Sequence, residues 1–423
     1  MPPRRGTVWH GERRVGELRE DDAGRIRFAY DLDWLDSGFP ISLRLPLEAG
    51  DRDAHAFFAG LLPEGRARHR ITRRLRLDPQ DDLALLLAIG ADGAGALAVL
   101  PEGETPMQEP AAPVPFADGD LEALVRSRGQ ADPSPTGRPP RFSLAGAQDK
   151  VSAIFDGQRL YWPDARHPSS HILKLETFRW VCFAEHAAHD LARRAGLRAS
   201  HVHYLRYDGD PELPYLRIER YDRARVPDGS VVRLHQEDVA QALGYDADAK
   251  YEGHGGPSLG EVAALLRRHS KDPTTDLAAL RDWQIFNYLI GNSDGHAKNL
   301  SLLYSPGEPV PVLAPFYDLV CIELLLRIRV ASFDRAMAFR IGDHAVPEEV
   351  GREDWGKLAR AMGLPPKPLL RRLEELATAL PALARQTRQD FAARFGDNQA
   401  YDRFEETVRD RCHWVCTSIL AGR

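Results

Sequence analysis

The chain has no surplus of basic charge and few cysteines. Its 423 residues carry 62 Asp and Glu against 56 Lys and Arg, a formal net charge of −6 at pH 7. Without basic excess it is a poor autonomous nucleic-acid binder, because the sequence-independent part of that affinity comes from neutralising phosphates. The 4 cysteines, Cys182, Cys321, Cys412 and Cys416, are scattered and form no C-x-x-C pair. That argues against a zinc site or a disulfide framework and fits a reducing compartment. No apolar run reaches the roughly 20 residues of a membrane-spanning helix, and Met1 to Gly6 leads into a strand-like stretch with no signal-type apolar region. A cytoplasmic location is therefore expected. Neither of the two common glycine-rich nucleotide fingerprints, G-x-x-x-x-G-K-[ST] and G-x-G-x-x-G, is present, and no internal repeat stands out.

What remains is a charged globular chain, long enough for two or three domains at about 150 residues each. Ile26, Phe28 and Tyr30 alternate with polar or small residues, as do Ile41, Leu43 and Leu45, which predicts half-buried strands. Short helices are expected at Phe57 to Leu62 and, with acidic residues at its start, at Asp81 to Ile89. Pro101, Pro106, Pro110, Pro113, Pro115, Pro133, Pro135, Pro139 and Pro140 crowd the next stretch, which reads as a linker apart from a short helix at Asp120 to Arg126. Strands are expected at Val151 to Phe155, His171 to Leu175, His201 to Tyr207 and Tyr215 to Glu219, with one helix near Phe183 to Ala195. From Gln236 onward the pattern turns helical, and Leu277, Leu280, Trp283, Phe286 and Ile290 mark one buried helix face. A strand-rich half followed by a helix-rich half predicts an α+β, two-lobed body.

Four elements carry chemistry. Asp294-Gly295-His296-Ala297-Lys298-Asn299 follows the buried helix, and its D-x-x-x-x-N spacing is that of a phosphotransfer loop. There the aspartate accepts the proton of the attacking hydroxyl and the asparagine ligates Mg²⁺. Asp and Asn are also ordinary turn residues. Asp318 follows an expected hairpin, Leu300 to Tyr304 and Val310 to Leu313, and would supply a second hard oxygen ligand; a helix cap would explain it equally well. Ser143 to Lys150 is a small-residue loop in which Gly146 lets backbone N–H groups approach an anion, or a plain turn between strands. Lys174 lies inside the apolar strand His171 to Leu175 and, if buried, needs an anionic partner such as nucleotide phosphates or Glu185. Edge exposure is the alternative.

The order of these elements is that of protein-kinase-like folds, and at this point the sequence resembles the HipA-type serine/threonine kinase toxins of bacterial toxin–antitoxin systems. The resemblance spans nearly the whole chain. It rests on Phe57-Phe58-Ala59-Gly60-Leu61-Leu62-Pro63-Glu64-Gly65, Ser143 to Lys150, His171 to Leu175, Glu219-Arg220-Tyr221-Asp222-Arg223 and His235-Gln236-Glu237-Asp238. It continues in Lys250-Tyr251-Glu252-Gly253-His254-Gly255-Gly256-Pro257, the Asp294 loop and Pro315-Phe316-Tyr317-Asp318. Three features limit the carry-over: Asp149 stands where a longer acidic residue is familiar, Asp318 is followed by Leu319 rather than the Phe-Gly of ordinary kinases, which is normal for this family, and Val320 to Val330 is unusually apolar.

The resemblance implies an ATP- and Mg²⁺-dependent protein kinase. Asp294 would be the catalytic base, with Asn299 and Asp318 holding Mg²⁺. Ala145, Gly146, Ala147, Gln148, Asp149 and Lys150 would cover the phosphates and Lys174 would contact them. Glu219, Arg220 and Tyr221 would form the adenine hinge, and His296, Ala297, Lys298 and Tyr317 would line the nucleotide site. Ser143 would be the autophosphorylation site that switches the enzyme off, since a phosphoserine beside a triphosphate site repels the nucleotide. The implied partners are a helix-turn-helix antitoxin, operator DNA mainly through that antitoxin, and a protein substrate, by family precedent an aminoacyl-tRNA synthetase. The implied organisation is an N-terminal α+β domain (1–105), a proline-rich linker (106–140), a kinase N-lobe (141–222) and a helical C-lobe (223–423). Two other classes are compatible with the motifs: a non-catalytic nucleotide-binding co-repressor, and a small-molecule or lipid kinase using Asp294, His296 and Asn299.

Overall fold

In the computed structural model, residues 4–106, 112–130, 150–226, 230–330 and 332–421 are described. The chain divides into two compact units, one made of Met1–Thr177, Leu205–Asp248 and Ser301–Pro309, the other of Phe178–Tyr204, Ala249–Leu300 and Val310–Arg423. The class is α+β, of the two-lobed kinase-like kind.

The first unit opens with an antiparallel sheet. Strands β1 (Arg5–His10), β2 (Arg13–Glu20), β3 (Ile26–Tyr30), β4 (Arg52–Asp53) and β5 (Leu97–Pro101) lie in the order β4-β3-β2-β1-β5. Alternation places Ile26, Phe28 and Tyr30 inward, where they pack with Trp34, Phe57, Phe58, Leu62, Leu85 and Leu86. Burial of each such side chain stabilises the unit by about 1.5–3 kcal/mol. The helix Asp82–Ile89 begins where expected, its Asp81 cap accepting from the Ala84 N–H at 2.9 Å.

Ile41 to Leu45 is a correction. It is not a strand but a turn with one isolated bridge between Ser42 and Leu45. Pro40 and Pro46 flank the segment and remove ladder donors. Ser42 is buried, breaking the alternation, because its hydroxyl donates to Glu237 Oε2 at 2.6 Å. The Leu43 N–H and the Tyr304 hydroxyl donate to the other oxygen at 3.0 and 2.7 Å. Burial dominates this carboxyl and pushes it up to about 7, although the three donors oppose the shift.

A second sheet in this unit runs Pro214–Glu219, β9 (His171–Leu175), β7 (Lys150–Phe155), β8 (Leu160–Trp162) and β6 (Val114–Pro115). The last strand belongs to the proline-rich stretch, so residues 112–130 are not bare linker. Phe116 stacks on Trp162 with ring centroids 4.0 Å apart, and the helix Asp120–Arg126 buries Leu124 and Val125 in the same cluster.

The second unit is mainly helical. Its described helices include Val181–Arg194, Leu259–His269, Pro273–Ile290, Ile322–Arg327, Arg352–Ala361, Pro366–Phe395 and Gln399–Trp414. Phe183, Phe391, Tyr401 and Phe404 form an aromatic cluster at its centre. Among the described residues no helix is long and apolar enough to cross a membrane.

Candidate active site

The site in the helical unit is built from the end of one helix. Asp272 caps Pro273–Ile290 by accepting from the Thr275 N–H, and residues 283–290 are fully buried, which fixes the helix in place. It stops at Gly291, whose φ of +70° suits glycine. A side chain here would also meet Glu323 Cβ at 2.5 Å.

The polar loop beyond is pinned on both flanks. The Asn292 N–H donates to Asn287 O at 2.8 Å and the Asn292 amide to Asn287 Oδ1 at 2.9 Å. The Ser293 hydroxyl donates to Asp334 O at 2.7 Å. Downstream, Asn299 Oδ1 accepts from the His296 N–H at 2.9 Å, closing a one-turn 3₁₀ helix over Ala297–Asn299. Between these anchors Asp294 is exposed, and its Oδ1 accepts from the Tyr251 hydroxyl at 2.5 Å. The Tyr251 ring meets His296 edge-on with centroids 5.2 Å apart.

The same unit brings Asp318 to Asn299. The Asn299 amide donates to Asp318 Oδ2 at 3.4 Å. Asp318 adopts φ +54°, a left-handed conformation uncommon outside glycine. Tyr317 is held by its hydroxyl on Lys298 O at 2.6 Å, and His296, Ala297, Lys298 and Asn299 are buried. Asn299 and Asp318 each carry an oxygen donor of the hard kind that would suit Mg²⁺; here the Asn299 NH₂ faces Asp318 and its Oδ1 faces the His296 N–H.

In the strand-rich unit Lys174 lies on a central strand, not an edge, and is 3% exposed. Its register partner on β7 is Lys150. Directly opposed residues share a face, and like charges there are unfavourable unless an anion joins them. Glu219 ends its strand in an exposed position, and the Tyr221 hydroxyl donates to Gln236 Oε1 at 2.5 Å. The Arg220 side chain points elsewhere, into a buried charge cluster. It donates to both oxygens of Asp222, to Ser169 Oγ and to Gly93 O. Asp92, fully buried in the same cluster, pairs with Arg223 and Arg233. Burial alone would raise the Asp92 carboxyl, yet Arg223, Arg233 and Arg220 hold it below the usual range. Ser143, Ala145, Gly146, Ala147, Gln148 and Asp149 lie outside the described residues.

The comparisons agree with this architecture. Residues 142–384 match the model of the HipA-like C-terminal domain and residues 6–100 that of the HipA N-terminal domain. The chain belongs to the HipA family. A relative in Sinorhizobium fredii, a putative kinase Y4mE, is 36% identical over 430 residues, covering 98% of this chain and 99% of its own. The serine/threonine-protein kinase toxin HipA of Shewanella oneidensis is 29% identical over 396 residues, covering 88% and 86%. A solved complex of Shewanella oneidensis HipA with HipB and operator DNA aligns with a TM-score of 0.81, at 25% identity and 96% coverage of both chains.

Two parts of this HipA-family architecture escaped the motif reading. Tyr251 was visible only as a member of the Lys250 to Pro257 stretch, with no indication that it reaches Asp294. The Asp92 cluster joins residues far apart in the chain, and no local pattern marks it.

Proposed function

We propose that the chain is an ATP- and Mg²⁺-dependent protein serine/threonine kinase and the toxin of a toxin–antitoxin module. The observation that carries this reading is the gathering, within one compact unit, of an exposed aspartate on a pinned loop and an adjoining Asn299–Asp318 pair 3.4 Å apart. Asp294 accepts the proton of the substrate hydroxyl as its oxygen attacks the γ-phosphorus, and the bond to the β,γ-bridging oxygen breaks as ADP leaves. Asn299 and Asp318 would hold Mg²⁺, which when bound neutralises charge on the phosphates. Lys174 and Lys150 orient the phosphate chain by charge, with residues 145–149 covering it. Glu219, Arg220 and Tyr221 offer main-chain groups to the adenine, and His296, Ala297, Lys298 and Tyr317 shape the floor of the site.

The intact loop favours catalysis over a co-repressor role, because Asp294, Asn299, Asp318 and Lys174 are all present. By likeness to the Shewanella complex, the partners are a HipB-like antitoxin and, mainly through it, operator DNA. An aminoacyl-tRNA synthetase is the proposed substrate, and Ser143 the proposed autophosphorylation site. Incubation with Mg-ATP followed by phosphosite mapping tests these readings. Phosphate on Ser143, lost in Asp294→Ala, supports them; an unmodified wild-type chain contradicts them. Growth arrest on expression, relieved by the antitoxin, tests the toxin role.

A further inference from the structure

The helix Val181–Arg194 and the segment carrying Asp318 are fastened together by hydrogen bonds. The Ser200 N–H donates to Phe316 O at 2.8 Å, and the Phe316 N–H to Arg198 O at 2.7 Å, forming a parallel bridge between Ala199 and Phe316. The Cys321 N–H reaches Ala184 O at 3.5 Å. These bonds flank Asp318 through backbone groups alone. One side chain does the rest. His189, 2% exposed, accepts the Leu319 N–H on Nε2 at 3.2 Å. Because Nε2 accepts, Nδ1 carries the ring proton and donates to Ser200 O at 3.1 Å. The imidazole is thus neutral, held in one tautomer, and ties the residue after Asp318 to the segment that flanks Phe316.

That bond matters because of where it falls. Asp318 is left-handed at φ +54°, a conformation that persists only where its surroundings over-determine it. The Leu319 N–H belongs to the peptide plane immediately after that residue, and Leu319 is buried. Without an acceptor a buried N–H must turn toward water. Turning that plane changes ψ at Asp318 and releases the left-handed backbone from which its carboxylate meets the Asn299 amide.

We infer that His189 is a positioning residue for Asp318, acting through the Leu319 amide to aim the carboxylate at the metal. This rests on the kinase reading above. It also makes the Glu185-bearing helix and the metal segment one mechanical body, so that whatever displaces the helix withdraws Asp318.

The test compares three substitutions in the full chain. His189→Leu keeps the bulk and loses the acceptor, His189→Asn is polar but too short, and His189→Gln places an amide oxygen near the Nε2 position. Two readouts are taken: the Mg²⁺ concentration giving half-maximal phosphotransfer, and hydrogen exchange of the 316–321 backbone, which needs no activity. Leu and Asn should raise the Mg²⁺ requirement about 10–100-fold, as loss of groups orienting a ligand does, and expose the Leu319 amide. The kcat at saturating Mg²⁺ should change little, and Gln should restore both readouts. An unchanged Mg²⁺ requirement in Leu and Asn, or failure of Gln to restore it, overturns the inference. A wild-type chain with no phosphotransfer sinks the kinase reading instead; faster amide exchange in Leu and Asn with recovery in Gln then still upholds the fastening, and unchanged exchange overturns it.

Discussion

The Tyr251 hydroxyl meets Asp294 Oδ1 at 2.5 Å, joining residues 43 apart in the chain. The loop backbone is anchored at Asn292 and Ser293, but the aspartate side chain itself has this tyrosine to define its direction. A hydrogen bond to a charged group is worth about 1.5–3 kcal/mol. Tyr251→Phe should therefore lower kcat about 10- to 100-fold with little change in KM for ATP, measured by steady-state phosphotransfer. An unchanged kcat would remove Tyr251 from the site.

Asn299 and Asp318 should share one metal. Asp318→Asn and Asn299→Ala should each abolish the Mg²⁺ enhancement of nucleotide binding seen by calorimetry, and the double substitution should add little, since neighbours acting on one ion are not independent. Additive losses would place the two residues at separate sites.

Lys174 is buried opposite Lys150, a pairing that an anion makes favourable. Lys174→Met keeps the aliphatic packing and removes the charge. ATP affinity should fall about tenfold or more, while adenosine, which has no phosphates, should be unaffected in the same titration. Equal loss for both ligands would mean that Lys174 supports the sheet alone.

How much of this was legible beforehand depended on sequence distance. Ile26–Tyr30, His171–Leu175 and Asp120–Arg126 were visible because alternation, period and flanking turn residues agree there. Ile41 to Leu45 has the alternation of a strand, but its partner is the distant Glu237, and tertiary bonding overrode the pattern. The Asn299 turn was readable because its bonds span three residues. Tyr251 with Asp294, His189 with Leu319, and Asp92 with its arginines are set by tertiary packing, which no single stretch reports.

The buried Glu237 carries a pH signature. Its carboxyl, normally near 4.5, is raised to about 7, so the folded state holds its proton more tightly than the unfolded chain. Its stabilising contribution is complete below about pH 4.5 and is lost as pH rises through 7. At about 1.4 kcal/mol per pKa unit, going from pH 5 to pH 8 should cost the wild type about 2–3 kcal/mol that Glu237→Gln does not lose. Urea unfolding of both proteins at the two pH values checks this. Parallel curves would show that Glu237 is ionised throughout.

Asp92 balances Arg220, Arg223 and Arg233 in a fully buried cluster. Asp92→Asn should destabilise the chain by about 3–5 kcal/mol, because it leaves buried guanidinium charge uncompensated. The midpoint of denaturant unfolding reads this directly.

The most direct test of the central claim is transfer of label from γ-labelled ATP in the presence of Mg²⁺, measured for the wild type and Asp294→Ala side by side with matched folding. The account predicts label on the wild-type chain and none on the variant. Equal labelling of both would contradict the assignment of Asp294, and absence of label from both would contradict the kinase itself.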